Sequence, residues 1–187
     1  MIYIKDEEFI RGDCPMTKEE VRILSTAKLE LKEDYRVLDI GAGTGSVSIQ
    51  IAKVCKNGVV IAIEKDKEAL EVIKINREKF NANNLTIIEG EALIVEEDID
   101  VLFDAIFIGG SGGNIEEIIR RYNFKLKEGH NIVLNFITLD NLYKAMSTLK
   151  ELNYEVECMQ VSVNKTRGKS YMIASNNSIF ILTGKKQ

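Results

Sequence analysis

Asp39, Gly41, Gly43 and Gly45 alternate through the stretch VLDIGAGTGSVSIQIA, directly after a short apolar run and directly before a helical pattern. Glycine tolerates positive φ and lets a ligand approach the main chain with no Cβ in the way. A turn this bare, with Ala42 and Thr44 between its glycines, suits a polar ligand lying across free N–H groups at a helix start. The nicotinamide fingerprint is G-x-G-x-x-G, and Ser46 stands where its third glycine belongs, which disfavours a dinucleotide oxidoreductase. Asp39, at the end of the apolar run, can organise the loop or hold an ammonium group by charge-assisted hydrogen bonds. Glu64 ends the next apolar run, with Lys65 beside it, at about the 20-residue spacing where an acid accepts from ribose hydroxyls in adenosine-binding sheets. Gly90, Glu91 and Ala92 close the third run and can hold the adenine edge. An amino-acid end at the first strand and a nucleoside at the second and third describe S-adenosylmethionine.

These residues need a parallel sheet to bring them together. Apolar runs RVLDI, GVVIAIE, LTIIEG, FDAIFIGG and HNIVLNF are continuous rather than alternating, as expected of strands buried on both faces, and helical patterns over 45–55, 66–80, 114–126 and 138–152 are interleaved with them. That rhythm predicts an α/β, doubly wound layer. The tail departs from it: YEVECMQVSVNKT and SNNSIFILTGK read as two strands joined by a polar segment, pairing antiparallel at one edge. Ahead of the first strand, Thr17 with Glu20 three residues on has capping-box spacing and predicts a helix N-terminus.

The 187 residues, 45% hydrophobic and 29% charged, suffice for one domain with a sizeable core and hardly for two. The charged N-terminus does not read as a signal peptide, and no apolar run approaches a membrane span, so a cytoplasmic protein without membrane contact is expected. Cys14, Cys55 and Cys158 are widely spaced and unpaired in pattern, which disfavours a disulfide framework or a zinc site; they read as small buried or partly buried residues. A net charge of -4 does not suggest a nucleic-acid surface.

After the fourth run, amino-directed methyltransferases carry an (N/D)-P-P-(Y/F) signature; here FIGGSGGNIEEII has no proline and no aromatic at the turn. Gly109, Gly110, Ser111, Gly112 and Gly113 make instead a main-chain-lined mouth able to admit a broad, flat substrate. D-x-G-x-G-x-G at 39–45, the acid at 64, the GEA loop and the final strand resemble the class I S-adenosylmethionine-dependent methyltransferases. That resemblance implies a mainly parallel seven-stranded sheet with an antiparallel last strand. More narrowly, IKDEEFIRGDCPMTKEEVR (4–22), DIGAGTGSVSIQIA (39–52), IFIGGSGGNIEEII (106–119) and NFITLDNL (135–142) are similar, end to end, to the decarboxylating precorrin methyltransferases of cobalamin synthesis. The resemblance implies a single domain over 1–187, with 1–34 as an N-terminal cofactor-covering segment and helix. Thr17 is then the threonine touching S-adenosylmethionine, with further cofactor contacts at Gly41 to Gly45, Glu64 and Ala92. It implies methylation of carbon 15 of a cobalt-precorrin, loss of carbon dioxide from the ring C acetate, and a homotetramer. Where many members of the family have ANPV before the last strand, this chain has SNNSIF.

Such chemistry asks little of an acid or base, because methyl transfer needs in-line placement and the conjugated macrocycle serves as its own electron sink. No compact Ser/His/Asp, Cys/His or metal constellation is visible, no catalytic residue is assigned, and His130, alone at a strand start, reads as structural. An acidic tetrapyrrole does require cations, and Arg11, Lys18, Arg167 and Lys169 lie on segments able to reach the mouth. The competing readings are a transfer-RNA adenosine or isoaspartyl methyltransferase of the same fold, or a non-catalytic nucleotide-binding protein.

Overall fold

The computed structural model describes residues 3–110 and 112–187, so Ser111, named above for the mouth, lies outside the described residues, as does the side chain of Arg167. Strands β1 (Arg36–Ile40), β2 (Val59–Glu64), β3 (Leu85–Glu89), β4 (Phe103–Ile108) and β5 (Leu126–Phe136) pair in parallel. With β6 (Tyr154–Val161) and β9 (Ile179–Lys186) they make one seven-stranded sheet in the order β3-β2-β1-β4-β5-β9-β6. β9 runs antiparallel to both neighbours, Leu134 facing Leu182 and Leu182 facing Cys158. The strand order therefore reverses between β1 and β4, and in a doubly wound sheet the ligand crevice opens there, outside the carboxyl ends.

The continuous runs form central strands because both faces are covered. Helices α1 (Glu19–Lys28), α2 (Ser46–Val54) and α3 (Lys67–Lys79) pack Val21, Ile49, Ile51 and Ile73 against Val37, Ala62 and Phe107 on one face. On the other face lie the single turn α4 (Ala92–Val95), α5 (Ile115–Tyr122) and α6 (Leu139–Glu151). There Ile118, Ile119, Ala145 and Leu149 meet Leu38, Ile106 and Leu134. Each fully buried aliphatic chain is worth about 1.5–3 kcal/mol, so this double layer fixes the strand ends that carry the site.

Three expectations are corrected. Lys18, not Thr17, occupies the N-cap of α1, and no side-chain cap forms: Arg22 takes the Thr17 carbonyl at 2.8 Å, and Glu20 pairs with Lys165 instead of folding back. The polar segment of the tail forms its own hairpin, β7 (Asn164–Arg167) against β8 (Met172–Ser175). β6 and β9 pair antiparallel at one edge of the sheet as expected, with β6 outermost. Cys158 is exposed on β6, whereas Cys14 and Cys55 are buried as read.

Candidate active site

A cleft of roughly 540 Å³ opens at the switch point. The three loop glycines are all left-handed, at φ 71°, 55° and 75°, for three different reasons. A Cβ on Gly41 would stand 2.6 Å from the Gly110 carbonyl oxygen, so this position lets the β1 and β4 turns touch. One on Gly45 would run into Ile73 at 2.4 Å, so this position lets α3 pack. Gly43 is less crowded, its nearest neighbour being the Pro15 carbonyl oxygen at 3.4 Å, and it lines the cleft itself.

Two carboxylates frame that loop. Asp39 is fully buried; one oxygen accepts from the Ser48 hydroxyl and the other has no partner. Burial, only partly opposed by Ser48, pushes its carboxyl up to about 7. Glu64 accepts from the backbone N–H of Gly43 at 2.7 Å and from those of Lys65 and Asp66 at 2.8 and 2.9 Å. The acid read as a ribose acceptor thus also pins the glycine turn, and a carboxylate's lone pairs leave room for one more donor. Lys65 pairs with Glu91 at 2.7 Å across the β2 and β3 ends, both lining the cleft with Gly90 and Ala92.

Residues 3–18 lie over the loop as a strap, bringing Cys14 to Lys18, Thr17 among them, into the cleft wall. Polar side chains of the helices hold this strap down. Arg22, fully buried, donates to the carbonyls of Ile4 and Thr17 and to Asp6, and stacks on Phe9. Asn76 of α3 accepts from the Ile10 N–H at 2.8 Å and donates to the carbonyls of Ile10 and Thr44, joining strap to glycine loop. Gln50 of α2 accepts from the Ile4 N–H. Arg22 and Asn76 were not read from the sequence; helical positions facing a chain segment so far away carry no local signal.

Beyond the β4 and β5 ends a second cavity of roughly 320 Å³ is lined by Gly109, Gly110, Gly112 and Gly113, and by Asn135 to Thr138. The starts of α5 and α6 border it, and neither Asn114 nor Thr138 caps its helix with a side chain. Ile137, Leu139 and Tyr143 near its rim are about 70% exposed. The two cavities share Gly109, Gly110, Gly112, Asn135, Phe136 and Ile137.

Of the cations read as substrate partners, Lys18 lines the cleft. Arg11 does not: it is exposed and turned to the Cys14 carbonyl at 3.3 Å within its own turn. Lys169, exposed at the hairpin turn, lines neither cavity, and the backbone of Arg167 lies on β7. His130 sits at the opposite end of the sheet, 3.7 Å from Asp104 near the start of β4, as a structural role requires.

The cradle fits S-adenosylmethionine. Asp39 offers a buried carboxylate oxygen with no partner where an ammonium can dock, Gly43 exposes bare backbone, and Glu64 stands one strand over. A parallel sheet opening at its switch point on this turn, with an antiparallel strand inserted beyond β5, defines a class I methyltransferase. The chain belongs to the precorrin methyltransferase family, whose domain model matches residues 8–185. It is 46% identical to a protein of Sulfurisphaera tokodaii named "Probable cobalt-precorrin-6B C(15)-methyltransferase (decarboxylating)", over 98% of this chain and 97% of that one. The cobalt-precorrin-6B C(15)-methyltransferase (decarboxylating) of Salmonella typhimurium is 37% identical over 98% of this chain and 96% of its own. The crystal structure of precorrin-6y C5,15-methyltransferase from Geobacter metallireducens superposes with a TM-score of 0.95 at 41% identity, covering 100% of this chain and 97% of that one.

Proposed function

We propose that this enzyme uses S-adenosylmethionine to methylate carbon 15 of cobalt-precorrin-6B and releases the carboxyl group of the ring C acetate as carbon dioxide. The observation that carries this reading is the pairing of two cavities through one glycine-floored junction: a cradle suited to an amino-acid nucleoside opens onto a mouth suited to a flat, conjugated acid. The bound cofactor supplies an electrophilic methyl group on a sulfonium. Asp39 receives its ammonium and Glu64 its ribose, while the N–H groups of Gly41, Ala42, Gly43 and Gly45 are spent on Ile63, Glu64 and Ala42 in holding the loop and the strap keeps water from the cradle. Gly109, Gly110 and Gly112 let the macrocycle lie close to the methyl donor, so that placement supplies most of the acceleration. The uncapped starts of α5 and α6 suit its carboxylates, and Ile137, Leu139 and Tyr143 its apolar edge.

The same reading includes a cytoplasmic homotetramer. Support comes from the hairpin, which carries Tyr171, Met172 and Ile173 about 70% exposed, an apolar group that a second copy would cover. Incubation with cobalt-precorrin-6B and S-adenosylmethionine, followed by mass spectrometry, tests the activity: the product should gain one methyl group and lose one carbon dioxide. Unchanged macrocycle would refute the reading.

A further inference from the structure

Asn135 is the one residue with a polar side chain among the described residues that line both cavities. Its amide oxygen accepts from the hydroxyl of Ser25, itself fully buried in α1, at 3.0 Å. Its amide nitrogen is shut off from solvent and has no partner. An unsatisfied buried donor costs about 1–3 kcal/mol, a cost removed when an acceptor arrives. Phe107, Phe136, Ile137 and Val21 line the same cleft. The terminal torsion of asparagine is broad, so a modest turn of the amide presents the nitrogen to the junction at little cost.

Resting on the reading of the macrocycle as substrate, we propose that Asn135 is the residue that recognises and orients the ring C acetate, its amide N–H donating to the carboxylate that is lost. In that step the bond between the carboxyl carbon and the acetate methylene breaks. The electron pair passes into the conjugated ring system, carbon dioxide leaves, and the methylene carbon takes a proton from solvent to become a methyl group. A lysine or arginine at this place would stabilise the carboxylate and oppose its loss. A neutral amide fixes its direction while leaving its charge poorly compensated, so binding energy from the rest of the macrocycle holds it there. Ser25 is a positioning residue: by donating to the amide oxygen it leaves the nitrogen as the end free to donate.

The test compares two macrocycles: cobalt-precorrin-6B, and the same ring with the acetate already reduced to methyl by decarboxylation. Dissociation constants are read from the macrocycle's visible absorbance with S-adenosylhomocysteine present. Asn135→Ala should weaken binding of the acetate-bearing ring about ten- to hundredfold, the range for a hydrogen bond to a charged group, and leave the decarboxylated ring bound as by wild type. Asn135→Asp should lose more, setting carboxylate against carboxylate. Ser25→Ala should give a smaller loss of the same selective kind without altering the cavity wall, which keeps the proposal testable if Asn135 variants fold poorly. Equal losses for both rings, or none for either, would overturn the assignment of Asn135. Failure of the wild-type enzyme to bind or process either ring would overturn the function itself, a separate result.

Discussion

Along the strap, the backbone groups of Ile4, Ile10 and Thr17 each meet a side chain of α1, α2 or α3. Around the mouth, glycine backbone stands open, a Cβ on Gly110 or Gly113 would meet nothing within 4 Å, and the two bordering helices begin without side-chain caps. One wall of the site is finished in the free protein and the other is not. The finished wall matches a ligand of fixed shape that must be gripped identically each turnover, at no ordering cost on binding. The open wall matches a large ligand that supplies its own rigidity and must leave altered. Buried polar groups carry the first and bare backbone the second, so substitutions in the two walls should fail in different ways.

The largest effect is expected at Gly43. Gly43→Val places a branched Cβ at positive φ on the cleft side, and should abolish S-adenosylhomocysteine binding by calorimetry while circular dichroism still reports a folded sheet. Normal binding would show that this loop is not the cradle.

Arg22→Ala comes next and probes the strap. It strands the carbonyls of Ile4 and Thr17 and removes the cation stacked on Phe9, and should cost about 2–4 kcal/mol in denaturant unfolding, with weaker cofactor binding. Unchanged stability together with weaker binding would make Arg22 part of the site rather than its clamp.

Glu64→Ala removes the acceptor proposed for the ribose and the anchor of the Gly43 N–H together. Cofactor affinity should fall about ten- to hundredfold, following the 1.5–3 kcal/mol range of a charged hydrogen bond. Titration of S-adenosylhomocysteine measures it, and an unchanged constant would leave Glu64 a purely structural acid.

Asp39 gives a pH test. Its folded carboxyl is raised to about 7, above the ordinary value near 4, so the neutral form is favoured by folding. Its stabilising contribution is full below about pH 4 and is lost as pH rises toward 7; Asp39→Asn should flatten that slope in melting temperature. Cofactor affinity should run the other way, strengthening as pH rises through 7, because the ligand's ammonium needs the charged carboxylate. A wild-type affinity flat across that range would remove Asp39 from the ammonium site.

The smallest effect is expected on the open wall. Gly110→Ala adds a Cβ into empty space at a residue that is not left-handed, so melting temperature and cofactor affinity should stay at wild type, while KM for the macrocycle rises. A large fall in stability would erase the distinction between the two walls.

What the sequence revealed divides along the same line. The doubly buried strands and the D-x-G-x-G-x-G turn are local patterns, and β1 falls where RVLDI was read. The α1 start was misplaced because a capping box is judged on four residues, whereas Arg22 and Lys165 decide this one from a distance. The hairpin at 164–175 leaves no pattern in the sequence because its short, mostly polar strands have no buried face to impose alternation. Asn76 and Asn135 were illegible for a related reason: an asparagine on a helix or strand shows what it serves only when the distant carbonyl or cavity beside it is known.

In the function proposed, one junction between two cavities hosts both reactions. The most direct measurement is a single turnover with carbon-13 in the methyl group of S-adenosylmethionine and in the acetate carboxyl of cobalt-precorrin-6B, followed by nuclear magnetic resonance and gas analysis. Labelled methyl on carbon 15 and labelled carbon dioxide should appear in equal amounts from the same enzyme. Methylated macrocycle that still holds its labelled carboxyl once the turnover is complete would contradict this.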